Sequence, residues 1–192
     1  MEQKFYEAAE TGKVEEVKEI LKNDPTLNVN WKNEYGTTVL NRACAYGHDS
    51  IVSLLLAHPD IDVNKKDNDG NTPFMWACVF GRTSCVRLLL RDSRVAVNEP
   101  QKKGRSPLQG AVSKRHLSVI ECMIASGRDM DLGDGIWSTI SGTSVLFTAW
   151  LQHPEAKDIL QMYKHDRSEA VAEAKRRLEI TGEWKGGMEN SD

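Results

Sequence analysis

Histidines, cysteines and acids occur along this chain, but not at the spacings from which active sites are built. A glutamate between two histidines one helical turn apart, as H-E-x-x-H, would hold zinc. The run G-x-x-x-x-G-K-[ST] would cradle a phosphate, and G-x-S-x-G would raise a serine nucleophile on a tight turn. None of the three is present. Gly133-Asp134-Gly135 has the glycines of a phosphate loop but no lysine–serine pair at the right distance, and reads as a structural loop. Asp67-Asn68-Asp69-Gly70 suggests a calcium loop. The EF-hand register would require acids at 65 and 76, where Lys65 and Trp76 stand, so an Asn/Asp/Gly turn is expected instead. No second ligand accompanies His48 or His116 at metal-binding spacing, and His58, His153 and His165 are scattered. Cys44, Cys78, Cys85 and Cys122 form no CxxC pair and read as buried free thiols. No acid–base or nucleophile constellation accompanies the irregular stretch 129–142. The expectation is a protein that is not an enzyme, with no metal, no cofactor and no small-molecule substrate.

The chain has 192 residues and a net charge of −3, which allows one ordinary domain and gives no global basic field for nucleic acid. No apolar run approaches the roughly 20 residues that span a bilayer. The start, Met1-Glu-Gln-Lys-Phe5, lacks the basic flank and apolar core of a signal peptide. These features point to the cytoplasm or nucleus.

The element that organises the chain is a repeat of period 34. Gly36, Gly70 and Gly104 keep that step, as do Thr38, Thr72 and Ser106, then Ala43, Ala77 and Ala111, then Leu55, Leu89 and Met123. Asn30, Asn64 and Asn98 do too, each preceded by valine. Within a unit, Thr72-Pro73 and Ser106-Pro107 suit a helix start. Gly47 and Gly81 suit its end, because glycine accepts positive φ without penalty. A second helix follows, with Ile51, Leu54 and Leu55, or Cys85, Leu88 and Leu89, on one face. One such unit cannot bury its own apolar faces, but stacked units can. Arg115 stands in the glycine column, where a left-handed backbone would cost about 1 kcal/mol.

This pattern resembles the ankyrin repeat: G-x-T-P-L-x-x-A, a G-H pair, then an I-V-x-x-L-L helix. The match is strongest over 70–98 and good over 36–128, and residues 2–30 resemble an N-terminal half-repeat. The resemblance implies an all-α solenoid of stacked helix-turn-helix units with β-hairpin or loop fingers and helical caps. It divides a single domain, 1–184, into an N-terminal capping repeat at 1–32 and internal repeats at 33–66, 67–100 and 101–134. A degenerate repeat at 135–164 and a C-terminal capping helix at 165–184 follow, then a flexible tail at 185–192. The degenerate repeat is expected to pair Thr143–Ala149 with Ala156–Tyr163. Asp166 and Glu169 then cap a closing helix with Val171, Ala174 and Leu178 on one face. His48 and His116 share a column in which imidazole fixes the turn between helices. Matching positions in neighbouring units lie roughly 10 Å apart, too far for a Cys44–Cys78 disulfide. Leu56-(x5)-Asp62-Val63-Asn64 resembles the site that an asparaginyl hydroxylase modifies in such repeats, although a structural hairpin asparagine is the preferred reading.

The resemblance also implies that a protein partner binds the concave face, at the finger tips and the exposed side of each inner helix. By column the tips are Glu34, Tyr35 and Thr37, then Asn68, Asp69 and Asn71, then Lys102, Lys103 and Arg105. The inner-helix positions are Ala45 and Tyr46, Val79 and Phe80, Ser113 and Lys114. Of these, Tyr35, Tyr46, Val79 and Phe80 form an aromatic and apolar patch of the kind enriched at binding hot spots. Trp31 and Trp76 rank behind them. Charge is uneven: residues 1–30 hold seven acids and four lysines, whereas 101–128 hold six basic residues and one acid. The expected function is a monomeric protein-interaction module or scaffold. The alternatives are a regulatory inhibitor of an enzyme or transcription factor, and nucleic-acid binding through the basic third repeat.

Overall fold

Threonine or serine at 38, 72 and 106 sets where the inner helices begin. A computed structural model describes residues 1–131 and 154–180 of the chain. Thr38 Oγ1 accepts the Asn41 N–H at 3.2 Å, while Asn41 Oδ1 accepts the Thr38 N–H at 2.9 Å. Ser106 and Gln109 repeat this reciprocal cap, and Thr72 Oγ1 accepts the Met75 N–H at 3.1 Å. Each cap satisfies donors that a helix start leaves without partners.

Five helix pairs follow one another among the described residues: α1 (Glu2–Glu10) and α2 (Val14–Asn23), α3 (Val39–Tyr46) and α4 (Asp49–Leu56), α5 (Pro73–Val79) and α6 (Thr83–Arg91), α7 (Pro107–Ser113) and α8 (Leu117–Ala125), and α9 (Pro154–His165) and α10 (Arg167–Ile180). The first, third, fifth and seventh helices stack as an inner row, and the second, fourth, sixth and eighth as an outer row. The core lies between the rows. Leu40, Ala43 and Cys44 share it with Ile51, Val52 and Leu55; Phe74, Ala77 and Cys78 share it with Cys85, Val86 and Leu89. Leu54 and Leu88 are only partly buried, so the outer helices face the core a little differently from the expected i, i+3, i+4 stripe.

The fingers are turns, each closed by two backbone bonds: Asn33 N–H to Thr37 O, Asp67 N–H to Asn71 O and Gln101 N–H to Arg105 O at 3.0–3.1 Å, and Gly36 N–H to Asn33 O, Gly70 N–H to Asp67 O and Gly104 N–H to Gln101 O at 2.8–3.1 Å. Among the described residues they make one isolated bridge, Lys32 to Thr38, and no strand. Neighbouring fingers are joined by Asn68 N–H to Tyr35 O and Lys102 N–H to Asp69 O.

At the other end α10 packs on α8. Asp166 Oδ1 accepts the Glu169 N–H at 3.0 Å, as its spacing predicts. The buried seam is Ala170, Ala174 and Leu178, with Val171 at its edge. The Arg177 guanidinium reaches the buried Glu121 carboxylate at 3.7 Å. The helix α9 contains the expected Ala156–Tyr163, but the loop at 129–142 beyond Asp131, the stretch Thr143–Ala149, His153 and the tail 185–192 lie outside the described residues. No helix among the described residues is long and apolar enough to cross a membrane.

Candidate functional site

Three exposed rings stand on the inner-helix ends and the first finger. Tyr46 closes α3 and is 47% exposed, Phe80 follows α5 at 44%, and Tyr35 tips the finger at 65%. Phe80 and Tyr46 are supported from behind. Phe80 stacks on Trp76 one turn earlier, with ring centroids 5.4 Å apart and planes 11° off parallel. Trp76 is itself fixed, because its Nε1–H donates to Asp67 Oδ2 at 3.0 Å. The Arg42 guanidinium carbon sits 5.5 Å from the Tyr46 ring centroid and 5.9 Å from that of Tyr6. Its Nε lies 3.1 Å from a Glu10 carboxylate oxygen, although not in hydrogen-bond alignment. Tyr6 packs edge-on against Trp31, and its hydroxyl accepts from Asn33 Nδ2 at 2.9 Å. Burial pushes the Tyr6 phenol above its ordinary range, against the opposing pull of Arg42. A cation held between two rings is stabilised by their quadrupoles, so Tyr46 is presented in a fixed pose rather than swinging freely.

Sequence columns do not reveal this backing. Arg42 and Tyr6 carry no motif, and the available signal is the i, i+4 spacing of Arg42 to Tyr46 and Trp76 to Phe80 on their helices. Trp31 and Trp76 are both half-buried and act as supports.

The fingers divide the expected polar contacts into two kinds. Asp69, Lys102, Lys103 and Arg105 are exposed, as is Lys114 at the end of α7. Asn71 is different: its Nδ2 donates to both Asp67 carboxylate oxygens, at 3.2 and 3.0 Å, which makes it part of the finger's frame. The Asn68 amide, although exposed, donates to Glu34 O at 3.0 Å and braces one finger on the next. Thr37 and Ala45 are buried, although Arg105 and Ser113 in the same columns are exposed. Val79 is half-buried, and a Cβ on Gly110 would come within 2.8 Å of its Cγ2. That close approach of α5 and α7 explains a glycine in the middle of a helix.

The remaining candidates have structural duties. Asp67 accepts the Asp69 and Asn71 N–H groups at 2.9 and 2.8 Å besides Trp76, so the calcium-like run is a saturated turn. The histidine column reaches back one unit: His48 Nε2 lies 3.0 Å from Glu10 O and His116 Nε2 3.0 Å from Val79 O, while Arg82 Nε donates to Ala45 O at 2.9 Å. Gly81 makes room for this, since a Cβ there would come within 2.5 Å of the His116 ring. Asn64 Nδ2 donates to Arg94 O and its Oδ1 accepts the Ala96 N–H, both at 2.8 Å, and Asn30 and Asn98 clamp their following units in the same way. Arg128 donates to Asp92 O and Val95 O, which removes it from the basic patch of the third unit. All four cysteines are buried, and burial pushes the Cys85 thiol up to about 12. Among the described residues no three His, Cys, Asp or Glu side chains gather as metal ligands would.

A comparison with protein families matches residues 5–67 and 61–134 to the model described as ankyrin repeats in three copies. No curated protein matches the chain.

Proposed function

The chain belongs to the ankyrin-repeat family, and from that premise we propose that it is a protein-interaction module which binds a partner protein on its concave face. Ankyrin repeats are generally protein–protein interaction modules, and the family is typically non-enzymatic. The observation that carries the proposal is where the exposed rings stand. Among the described residues four large apolar side chains are exposed; one is Met1, and the other three are Tyr35, Tyr46 and Phe80. Exposed rings held from behind, as Phe80 is by Trp76 and Tyr46 by Arg42, lose little conformational freedom when a partner covers them, which favours a hot spot.

We place the centre of the contact at Tyr46, Val79 and Phe80, with Tyr35 above it on the first finger. Asn68 and Asp69 border it on the second finger. Lys102, Lys103, Arg105 and Lys114 border it on the third unit. Trp76 and Arg42 act from behind the rings.

The test is a pull-down from lysate at two salt concentrations, with the wild type beside a Tyr46→Ala/Phe80→Ala variant. A protein retained by the wild type and lost with the variant is expected. Equal retention by both would sink the aromatic-centred site. Recovery of nucleic acid alone, lost at high salt, would replace it with a polyanion site.

A further inference from the structure

The exposed cations of the third unit form no ion pair among the described residues, whereas several of those before it do. In the earlier units Arg42 lies beside Glu10, Lys65 beside Asp62, Lys66 beside Glu99 and Arg94 beside Asp92. Lys102, Lys103, Arg105, Lys114 and Arg115 are exposed, and none of them forms an ion pair among the described residues. Like charges left together set up a positive local potential, which favours an anionic partner and disfavours a cationic one.

The columns place this charge directly in line with the rings. The inner-helix column that reads Tyr46 and Phe80 reads Lys114 in the third unit, and the finger-tip column runs Tyr35, Asp69, Lys103. An extended ligand crossing the units therefore meets apolar anchors first and unpaired cations next. Resting on the concave-face reading above, we propose that the partner contributes an acidic, extended segment with one apolar or aromatic anchor. The anchor sits against Tyr46 and Phe80, and the carboxylates meet Lys102, Lys103, Arg105 and Lys114. Stacked helices lie about 10 Å apart, and an extended chain advances about 3.3 Å per residue. The acids then fall about three residues from an anchor on Phe80, or about six from one on Tyr46.

The experiment selects a phage-displayed random peptide library on the full chain. Affinities of the enriched peptides are then measured by fluorescence anisotropy. The proteins compared are the wild type, a Lys102→Glu/Lys103→Glu/Arg105→Glu variant and the Tyr46→Ala/Phe80→Ala variant, each checked for native circular dichroism. Enriched peptides are expected to carry an apolar residue with two or more Asp or Glu within about three to six positions. The charge reversal should weaken them about tenfold or more, and raising salt from roughly 50 to 200 mM should weaken the wild type more than the reversed variant.

Peptides without an excess of acid, lost with the aromatic variant but not with the reversal, would overturn the acidic partner and leave the concave face standing. Peptides indifferent to both variants would overturn both. No enrichment of any peptide would overturn recognition of an extended segment. Equal binding of a single-stranded RNA homopolymer would replace peptide recognition with simple polyanion affinity.

Discussion

Arg115 carries the one positive φ found at a non-glycine residue among the described residues, 64°, in the column that Gly47 and Gly81 occupy. An L side chain in that region is strained by about 1 kcal/mol, and nothing in its column relieves it. Arg115→Gly is therefore expected to stabilise the fold by about 1 kcal/mol, seen as a higher urea midpoint with unchanged slope. A drop in the midpoint would show that the arginine makes a compensating contact. Removing this cation should also slightly weaken any acidic ligand, so the two readouts move in opposite directions. Gly81 is constrained twice over, by φ of 66° and by the His116 ring, whereas Gly104 has open space around its Cα. One sequence column thus contains a needed glycine and a strained arginine.

At the level of elements, α10 is attached to α8 by a seam of small and apolar residues and by a buried acid. Glu121 is 5% exposed, and Arg177 approaches it while also donating to Glu173 at 2.7 Å. Arg176 pairs with Glu173 from the solvent side and is 65% exposed. Taking away one partner of a buried pair leaves a desolvated charge, whereas surface pairs contribute little. Arg177→Ala is expected to cost about 2 kcal/mol, less than a fully buried pair because Arg177 is partly solvated, and Arg176→Ala at most about 0.5 kcal/mol. Equal losses in thermal denaturation would mean that Glu121 takes no stability from Arg177.

Across the whole molecule, each unit touches mainly its neighbours, and the hydrogen bonds between units span about one repeat. Arg94 donates to Leu56 O as Arg128 does to Asp92 O, and the asparagine clamp recurs at residues 30, 64 and 98. Stability in such an array is roughly a sum of units and their interfaces, so units covered on both sides open last. Native-state hydrogen exchange should be slowest in α5 and α6 and faster in α1 and α2. Uniform protection from α1 to α8 would instead mean that the array unfolds as one body. In the N-terminal pair, Glu16 lies between Lys4 and Lys13 at 3.3 Å each.

The sequence by itself determined the helical units, their starts and the core columns. Caps such as Thr38 and Ser106, glycines at 47 and 81 and alanines at 43, 77 and 111 act within a few residues of themselves, and the period repeats the signal. It also placed Tyr35, Tyr46 and Phe80 in exposed columns. Only the tertiary structure decided which polar residues remain free for a partner. Asn71 is tied to Asp67, Asn68 to Glu34 O, and Arg128 to the unit before it, whereas Lys102, Lys103 and Arg105 are not tied in this way. It likewise brought Tyr6 and Arg42 behind Tyr46, from two different units. The Arg128 clamp and the Tyr6–Arg42–Tyr46 stack join residues roughly one repeat apart in sequence. Their formation depends on the angle and spacing at which the units stack, which local residue preferences do not encode.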